Sequence, residues 1–201
     1  MAARPLPAAS GSRARSSGVA AAADPRTVLP PPSAWRQVRA SVVSQRDVGA
    51  GHRWLDLQLP RGFSLPDAGQ FVQLLLEPPS PVFLPRPMSV AGARVTPRGP
   101  VLGFLYEPVG VGTLALAGLT PGEGVGVLGP LGRGFPREVP GTPVLVAGGR
   151  GVAPLLFAAG MFAREGRRCE FLFGARDARH LVALPEARER LERMGGRLHL
   201  A

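Results

Sequence analysis

Val144-Leu-Val-Ala-Gly-Gly-Arg-Gly-Val-Ala-Pro-Leu155 decides how this chain is read. An apolar run from Val144 to Ala147 enters a glycine-rich turn and leaves it as a helical stretch, Val152 to Arg164. A continuous apolar strand followed at once by a helix is the repeating unit of a parallel sheet, because such strands are covered on both faces. Gly148, Gly149 and Gly151 let the backbone turn sharply and approach a pyrophosphate closely, which side chains would prevent. Pro154 falls in the first turn of the helix, where its missing N–H costs little. The spacing is Gly-Gly-x-Gly rather than Gly-x-Gly-x-x-Gly, so alone it reads equally well as a tight strand-to-helix turn without a ligand.

Working outward, Cys169 to Phe173 forms a second strand, Leu184 to Met194 a charged helix, and Leu198 to Ala201 the opening of a third strand. Strands alternating with helices predict a parallel α/β domain over residues 142–201. It is incomplete beside the five or six strands usual for a nucleotide-binding domain. Upstream the texture differs. Val38, Ala40 and Val42 alternate with Arg39 and Ser41, and Leu55, Leu57 and Leu59 with Asp56 and Gln58, the period of half-buried strands. Short runs follow at Phe71 to Leu76, Met88 to Ala91, Val101 to Tyr106 and Val125 to Leu128, each close to Gly or Pro. They predict a closed antiparallel barrel or sandwich over residues 35–137. The expected fold class is therefore an antiparallel β-barrel followed by an incomplete parallel α/β domain.

Composition narrows the partners. The 201 residues are 45% apolar, enough to fill a core. All 24 basic residues are Arg, and with 27 Gly and 23 Pro this fits a GC-rich coding sequence as well as a selected surface. Arg4, Arg13, Arg15 and Arg26 against Asp24 place +3 of the net +10 in residues 1–34, which read as a disordered extension ending in Pro30, Pro31 and Pro32. The remaining arginines are scattered and aromatics are few, which argues against nucleic acid as a partner. The single cysteine, Cys169, excludes an internal disulfide framework and points to a reducing, cytoplasmic compartment. It lies in an apolar strand and reads as a small buried hydrophobe. No apolar run of about 18 residues predicts membrane insertion. His52, His180 and His199 show no metal-ligand spacing, and no Ser/His/Asp set or carboxylate pair suggests hydrolysis.

A second constellation is Arg86-Pro-Met-Ser89. A residue preceding proline is pushed into an extended conformation, so Arg86 sits on a strand, where a planar guanidinium can grip a diphosphate bidentately. Ser89 faces the same way as Pro87 and offers a hydroxyl and strand amides to the edge of a planar ring. After Gly112, Thr113-Leu-Ala-Leu-Ala-Gly118 predicts a short helix whose first N–H groups suit a phosphate. Taken singly, Arg86 also reads as a solvated edge arginine and Thr113 as a simple cap.

Together these residues resemble the ferredoxin reductase-type flavoprotein superfamily, and within it the electron-transfer subunits of NAD-linked dihydroorotate dehydrogenases. The resemblance runs from Trp35 to Ala201. It is carried by Arg86-Pro-Met-Ser89, Tyr106-Glu-Pro-Val-Gly-Val-Gly-Thr113, Leu128-Gly-Pro-Leu-Gly-Arg-Gly-Phe135, Ala147-Gly-Gly-Arg-Gly-Val-Ala-Pro-Leu155 and Phe173-Gly-Ala-Arg176. It implies a barrel that binds FAD, with Arg86 on the diphosphate, Pro87, Met88 and Ser89 along the isoalloxazine, Leu105, Tyr106 and Glu107 lining the cofactor, and Gly112 and Thr113 on the phosphates. Gly148, Gly149, Gly151 and Pro154 would face NAD(H). In the family, electrons continue through a 2Fe-2S cluster to a catalytic subunit that oxidises dihydroorotate in pyrimidine biosynthesis, so the implied partner is that subunit in a hetero-oligomer. Related sulfide dehydrogenase and ferredoxin:NAD oxidoreductase subunits match nearly as well. The non-enzymatic alternative is a scaffold that kept the fold and lost its cofactor.

The departures are specific. Glu107 stands where the family usually has Arg, Arg150 replaces a small aliphatic residue in the glycine turn, and Arg133 replaces Asn. The cluster-binding cysteines and further parallel strands of the family are absent, so the expectation is a C-terminally truncated chain or one completed by another polypeptide.

Overall fold

The alternating apolar residues of the first half close into a barrel. The computed structural model describes residues 35–78 and 82–201; the extension read over residues 1–34 lies outside them. Strands β1 (Arg36–Asp47), β2 (Arg53–Gln58), β3 (Phe71–Leu76), β4 (Arg86–Thr96), β5 (Gly99–Tyr106) and β6 (Gly124–Leu131) pair antiparallel in the closed order β1-β2-β5-β4-β3-β6. Closure leaves no free edge within this sheet. Val42, Leu55, Leu57, Val72, Leu74, Val90, Leu102, Phe104, Val125 and Val127 point inward and are buried. Irregularities at Val42/Ser44, Phe71/Gln73 and Val90/Gly92 bend the strands, as a small barrel requires.

Strand β4 runs well past the predicted Met88 to Ala91. Gly92 hides its continuation in the sequence, and the reason for that glycine is tertiary: a Cβ there would lie 2.8 Å from the Arg190 guanidinium. Gly103 on β5 is explained in the same way, because the Trp54 indole occupies the space a Cβ would need, at 2.7 Å.

The second half is a parallel sheet in the order β7-β8-β9, from β7 (Val144–Gly148), β8 (Glu170–Gly174) and β9 (Arg197–Leu200). Helices α2 (Val152–Arg164) and α3 (Leu184–Met194) connect them. Phe171 and Phe173 are fully buried, ring centroids 6.4 Å apart in an edge-to-face arrangement. Val144, Val146 and Leu172 stay exposed. Helix α2 touches β7, α3 and the barrel strand β4, which explains why Leu156, Phe157, Ala158, Ala159, Met161 and Phe162 are all buried rather than a single stripe. One apolar core thus joins both halves.

Two arginine contacts reinforce that junction. Arg190 of α3 donates to the Ala91 carbonyl at 2.7 Å, and its guanidinium lies 5.8 Å from the Trp54 ring centroid. Burial lowers its pKa to about 10, opposed by Glu186 and Glu189, so the group remains charged at neutral pH. Arg46 of β1 meets Glu186 of α3 at 2.5 Å. Among the described residues no helix is long and apolar enough to cross a membrane.

Candidate functional site

Arg86 opens β4, and its Nε is buried without a hydrogen-bond partner. A charged donor left unsatisfied in a fold is costly, which distinguishes it from a solvated edge arginine. The guanidinium lies directly against the backbone of Gly112, so that any Cβ at Gly112 would collide with it. Gly112 is the second residue of helix α1 (Val111–Ala117), which begins two residues before the predicted Thr113. Gly110 occupies the cap position. Thr113 is the third residue of the helix, where its hydroxyl accepts the Val109 and Gly110 N–H groups at 3.0 and 3.1 Å and donates to the Gly110 carbonyl. That hydroxyl holds the loop before α1 in place; it is a back-tie and not the cap.

Pro87 and Ser89 are exposed on β4, and Met88 between them is half-buried against the core. Opposite Pro87 on β3 stands Gln73, whose amide oxygen is buried and has no partner. Sequence reading passed over Gln73; its only signal was a polar residue inside an otherwise apolar strand. Leu105 and Tyr106 have buried side chains, so any approach to a ligand is left to their backbone. The Tyr106 hydroxyl donates to Gln45 Oε1 at 2.6 Å, and the Gln45 amide donates to the Leu116 and Leu119 carbonyls, which fixes the C-terminal end of α1 relative to β1 and β5. Burial pushes the Tyr106 hydroxyl up to about 12 against the opposing charge of Arg53, so it stays a donor throughout the physiological range.

Glu107 ends this stretch and reaches across to the glycine turn. Its Oε2 lies 3.2 Å from Arg150 Nη1 and 3.8 Å from Nε2 of buried His52, whose Nδ1 contacts the Ala50 carbonyl at 2.9 Å. Two of the three residues noted as departures in the sequence, Glu107 and Arg150, thus form one ion pair. A cavity of about 310 Å³ surrounds it, lined by His52, Glu107, Gly149, Arg150, Arg176 and His180 among others. Arg176 Nε is 3.0 Å from His180 Nε2, and His180 Nδ1 is 2.7 Å from Asp177 Oδ1. A neutral imidazole protonated at Nδ1 satisfies both contacts.

The turn itself, Gly149–Gly151, is a single 3₁₀ turn leading into α2, which has no side-chain cap. Gly149 has φ +49°, a conformation that favours glycine. Gly148 and Gly151 have ordinary negative φ values, and a Cβ on either would meet nothing within 4 Å. Neither conformation nor internal packing explains these two glycines, and both border open space. Pro154 is the third residue of α2.

Elsewhere, Arg133 is exposed, and His199 pairs with Glu170 at 2.6 Å. Cys169 is buried, its thiol pushed up to about 11 by burial and then by Glu170. No group of three or more His, Cys, Asp or Glu among the described residues could hold a metal ion.

Two kinds of comparison bear on this geometry. The chain is 35% identical over 144 residues to the electron-transfer subunit of dihydroorotate dehydrogenase B (NAD(+)) from Desulforamulus reducens, covering 71% of this chain and 54% of that protein. It is 33% identical over 142 residues to the subunit of the same name from Shouchella clausii, covering 69% and 54%. The cytochrome reductase GcoB of Amycolatopsis superposes with a TM-score of 0.67 at 32% identity, over 83% of this chain and 51% of GcoB. In sequence and in fold the chain is similar to these reductase proteins and electron-transfer subunits. The fold also matches the ferredoxin reductase of carbazole 1,9a-dioxygenase, TM-score 0.69 at 20% identity, over 83% of this chain and 49% of that one. The chain spans about half the length of the curated relatives it matches. No protein-family model matches it.

Proposed function

We propose that this chain is an FAD-binding electron-transfer unit that exchanges electrons with a nicotinamide nucleotide and serves a partner oxidoreductase subunit, of the dihydroorotate dehydrogenase type. The observation that carries the reading is the Arg86 guanidinium, with a buried, unsatisfied Nε over the side-chain-free backbone of Gly112. A fold tolerates such a group where a ligand anion satisfies it.

In this reading the barrel is the flavin domain and the β7-β8-β9 unit is part of a nucleotide domain. Arg86 binds the FAD diphosphate, and Gly112 provides the room for that guanidinium and its ligand to meet. Exposed Pro87 and Ser89, half-buried Met88 and the unsatisfied amide of Gln73 orient the ring system along β4, while Leu105 and Tyr106 support it through their backbone. Thr113 holds the loop that carries Gly112. A flavin held there would supply the redox chemistry; the protein contributes position and charge. The open turn at Gly148, Gly149 and Gly151, with Pro154 behind it, faces the nicotinamide nucleotide. An iron–sulfur cluster does not fit this chain, since 2Fe-2S centres use four ligands and Cys169 is the only cysteine.

The visible absorption spectrum of the purified chain, with the released flavin identified, tests the reading. FAD at near one per chain is expected; a colourless protein that cannot be reconstituted with FAD overturns it and leaves the scaffold alternative. The glycine turn has its own test. Alanine fits the backbone at Gly148, φ −123° and ψ 121°, with open space for its methyl group. Gly148→Ala is therefore expected to hold or raise stability, by up to about 1 kcal/mol through the unfolded chain. The same methyl group obstructs close approach of a phosphate, so ADP affinity should fall. Unchanged ADP affinity in isothermal titration would remove the turn from the nucleotide site.

A further inference from the structure

Glu107 and Arg150 lie on different halves of the molecule, one at the end of β5 and the other inside the glycine turn, and they meet at 3.2 Å. Each side chain remains partly open to solvent, 34% for Glu107 and 57% for Arg150. The pair projects into the cavity of about 310 Å³, where Arg176 and His180 add positive or hydrogen-bonding groups and Glu107 is the carboxylate among the lining residues. An arginine within a turn that keeps open space above its glycines is in reach of a ligand on that turn. Until a ligand arrives, Glu107 provides its counter-ion.

We propose that Glu107 is an internal competitor for Arg150: the carboxylate occupies the guanidinium in the free protein, and the phosphates of an incoming nucleotide displace it. This rests on the reading of the Gly148–Gly151 turn as the nucleotide-facing element. The exchange makes Arg150 a specificity residue for phosphate-bearing ligands and makes Glu107 a threshold against weaker anions. The contact also ties barrel to turn, so displacement frees the turn from the barrel as the nucleotide seats. The exchange is inexpensive. A partly exposed ion pair is worth a few-fold in an equilibrium constant, and a bidentate guanidinium–phosphate contact exceeds it.

Titration of the full chain with inorganic pyrophosphate and with ADP, followed by calorimetry, tests the proposal through four proteins: wild type, Glu107→Gln, Arg150→Ala and the double variant. Glu107→Gln is expected to tighten pyrophosphate about 2- to 5-fold by releasing Arg150. Arg150→Ala should weaken it by a similar or larger factor, and adding Glu107→Gln to Arg150→Ala should change nothing further. Tightening by Glu107→Gln that persists in the Arg150→Ala background would show only a general field effect of the lost charge and overturn the exchange. So would equal affinity of wild type and Glu107→Gln. FAD content measured on the same four proteins separates the two readings: an absent exchange with normal FAD leaves the flavoprotein standing, whereas a wild type that binds neither FAD nor pyrophosphate removes both. Matching thermal unfolding of the four proteins excludes a folding defect as the cause.

Discussion

Arg86→Ala is expected to weaken FAD binding by about 10- to 100-fold, the loss of a charge-assisted contact worth about 1.5–3 kcal/mol. The guanidinium Nε has no partner inside the protein, so removing it takes away no internal hydrogen bond of that atom, and the damage should appear in ligand affinity more than in stability. Gly112→Ala reaches the same end by another route. Its methyl group would overlap the guanidinium, which is the far end of a flexible side chain and can swing away at little cost to the fold, leaving the diphosphate unmatched. Because both changes disable one contact, the double variant should bind FAD no worse than the weaker single variant. Arg133→Ala is the control, since that residue is exposed in the loop after β6. Fluorescence titration of apoprotein with FAD measures all four. Equal retention in Arg86→Ala and Arg133→Ala would sink the diphosphate assignment.

The largest loss of stability is expected at Phe104. This side chain is fully buried on β5, with Leu55 paired to it on one side and Val90 on the other. Truncation to alanine leaves a cavity in a closed barrel whose strands cannot easily collapse, and such changes cost about 3–5 kcal/mol. Against a total folding stability of about 5–15 kcal/mol for ordinary domains, this threatens the fold at physiological temperature. Leu114→Ala, on the exposed face of α1, should stay within about 0.5 kcal/mol. Urea denaturation of both variants checks the contrast. Saturating FAD should then recover part of the Phe104→Ala loss, about 2.7 kcal/mol at a concentration 100 times the Kd, because a ligand of the native barrel stabilises it by mass action. A loss below about 1 kcal/mol would show that the barrel interior is not the cooperative core.

Much of the site was legible because its signals are local. Proline after Arg86 forces extended backbone, and the strand does begin at Arg86. Glycines between an apolar strand and a helix mark a sharp turn, and the turn lies at Gly149–Gly151. Side-chain roles were less accessible. Thr113 looked like a cap from its position ahead of a helical run, but the helix starts at Val111 and the hydroxyl ties backward, a difference of half a turn that propensity does not resolve. Gln73 carried no motif at all; its unsatisfied oxygen has meaning only because β3 pairs with β4 and sets it opposite Pro87.

By itself the sequence determined the succession of elements, an alternating antiparallel half followed by a β-α-β half, because periods of 2 and 3.6 are written along the chain. It also marked Glu107 and Arg150 as unusual without relating them. The tertiary structure alone decided that the barrel closes as β1-β2-β5-β4-β3-β6, that α2 is buried between sheet and barrel, that Arg86 rests on Gly112, and that Glu107 answers Arg150. These contacts join residues far apart in sequence, and their partners are chosen by strand register and shared core packing, neither of which leaves a periodic trace in the chain.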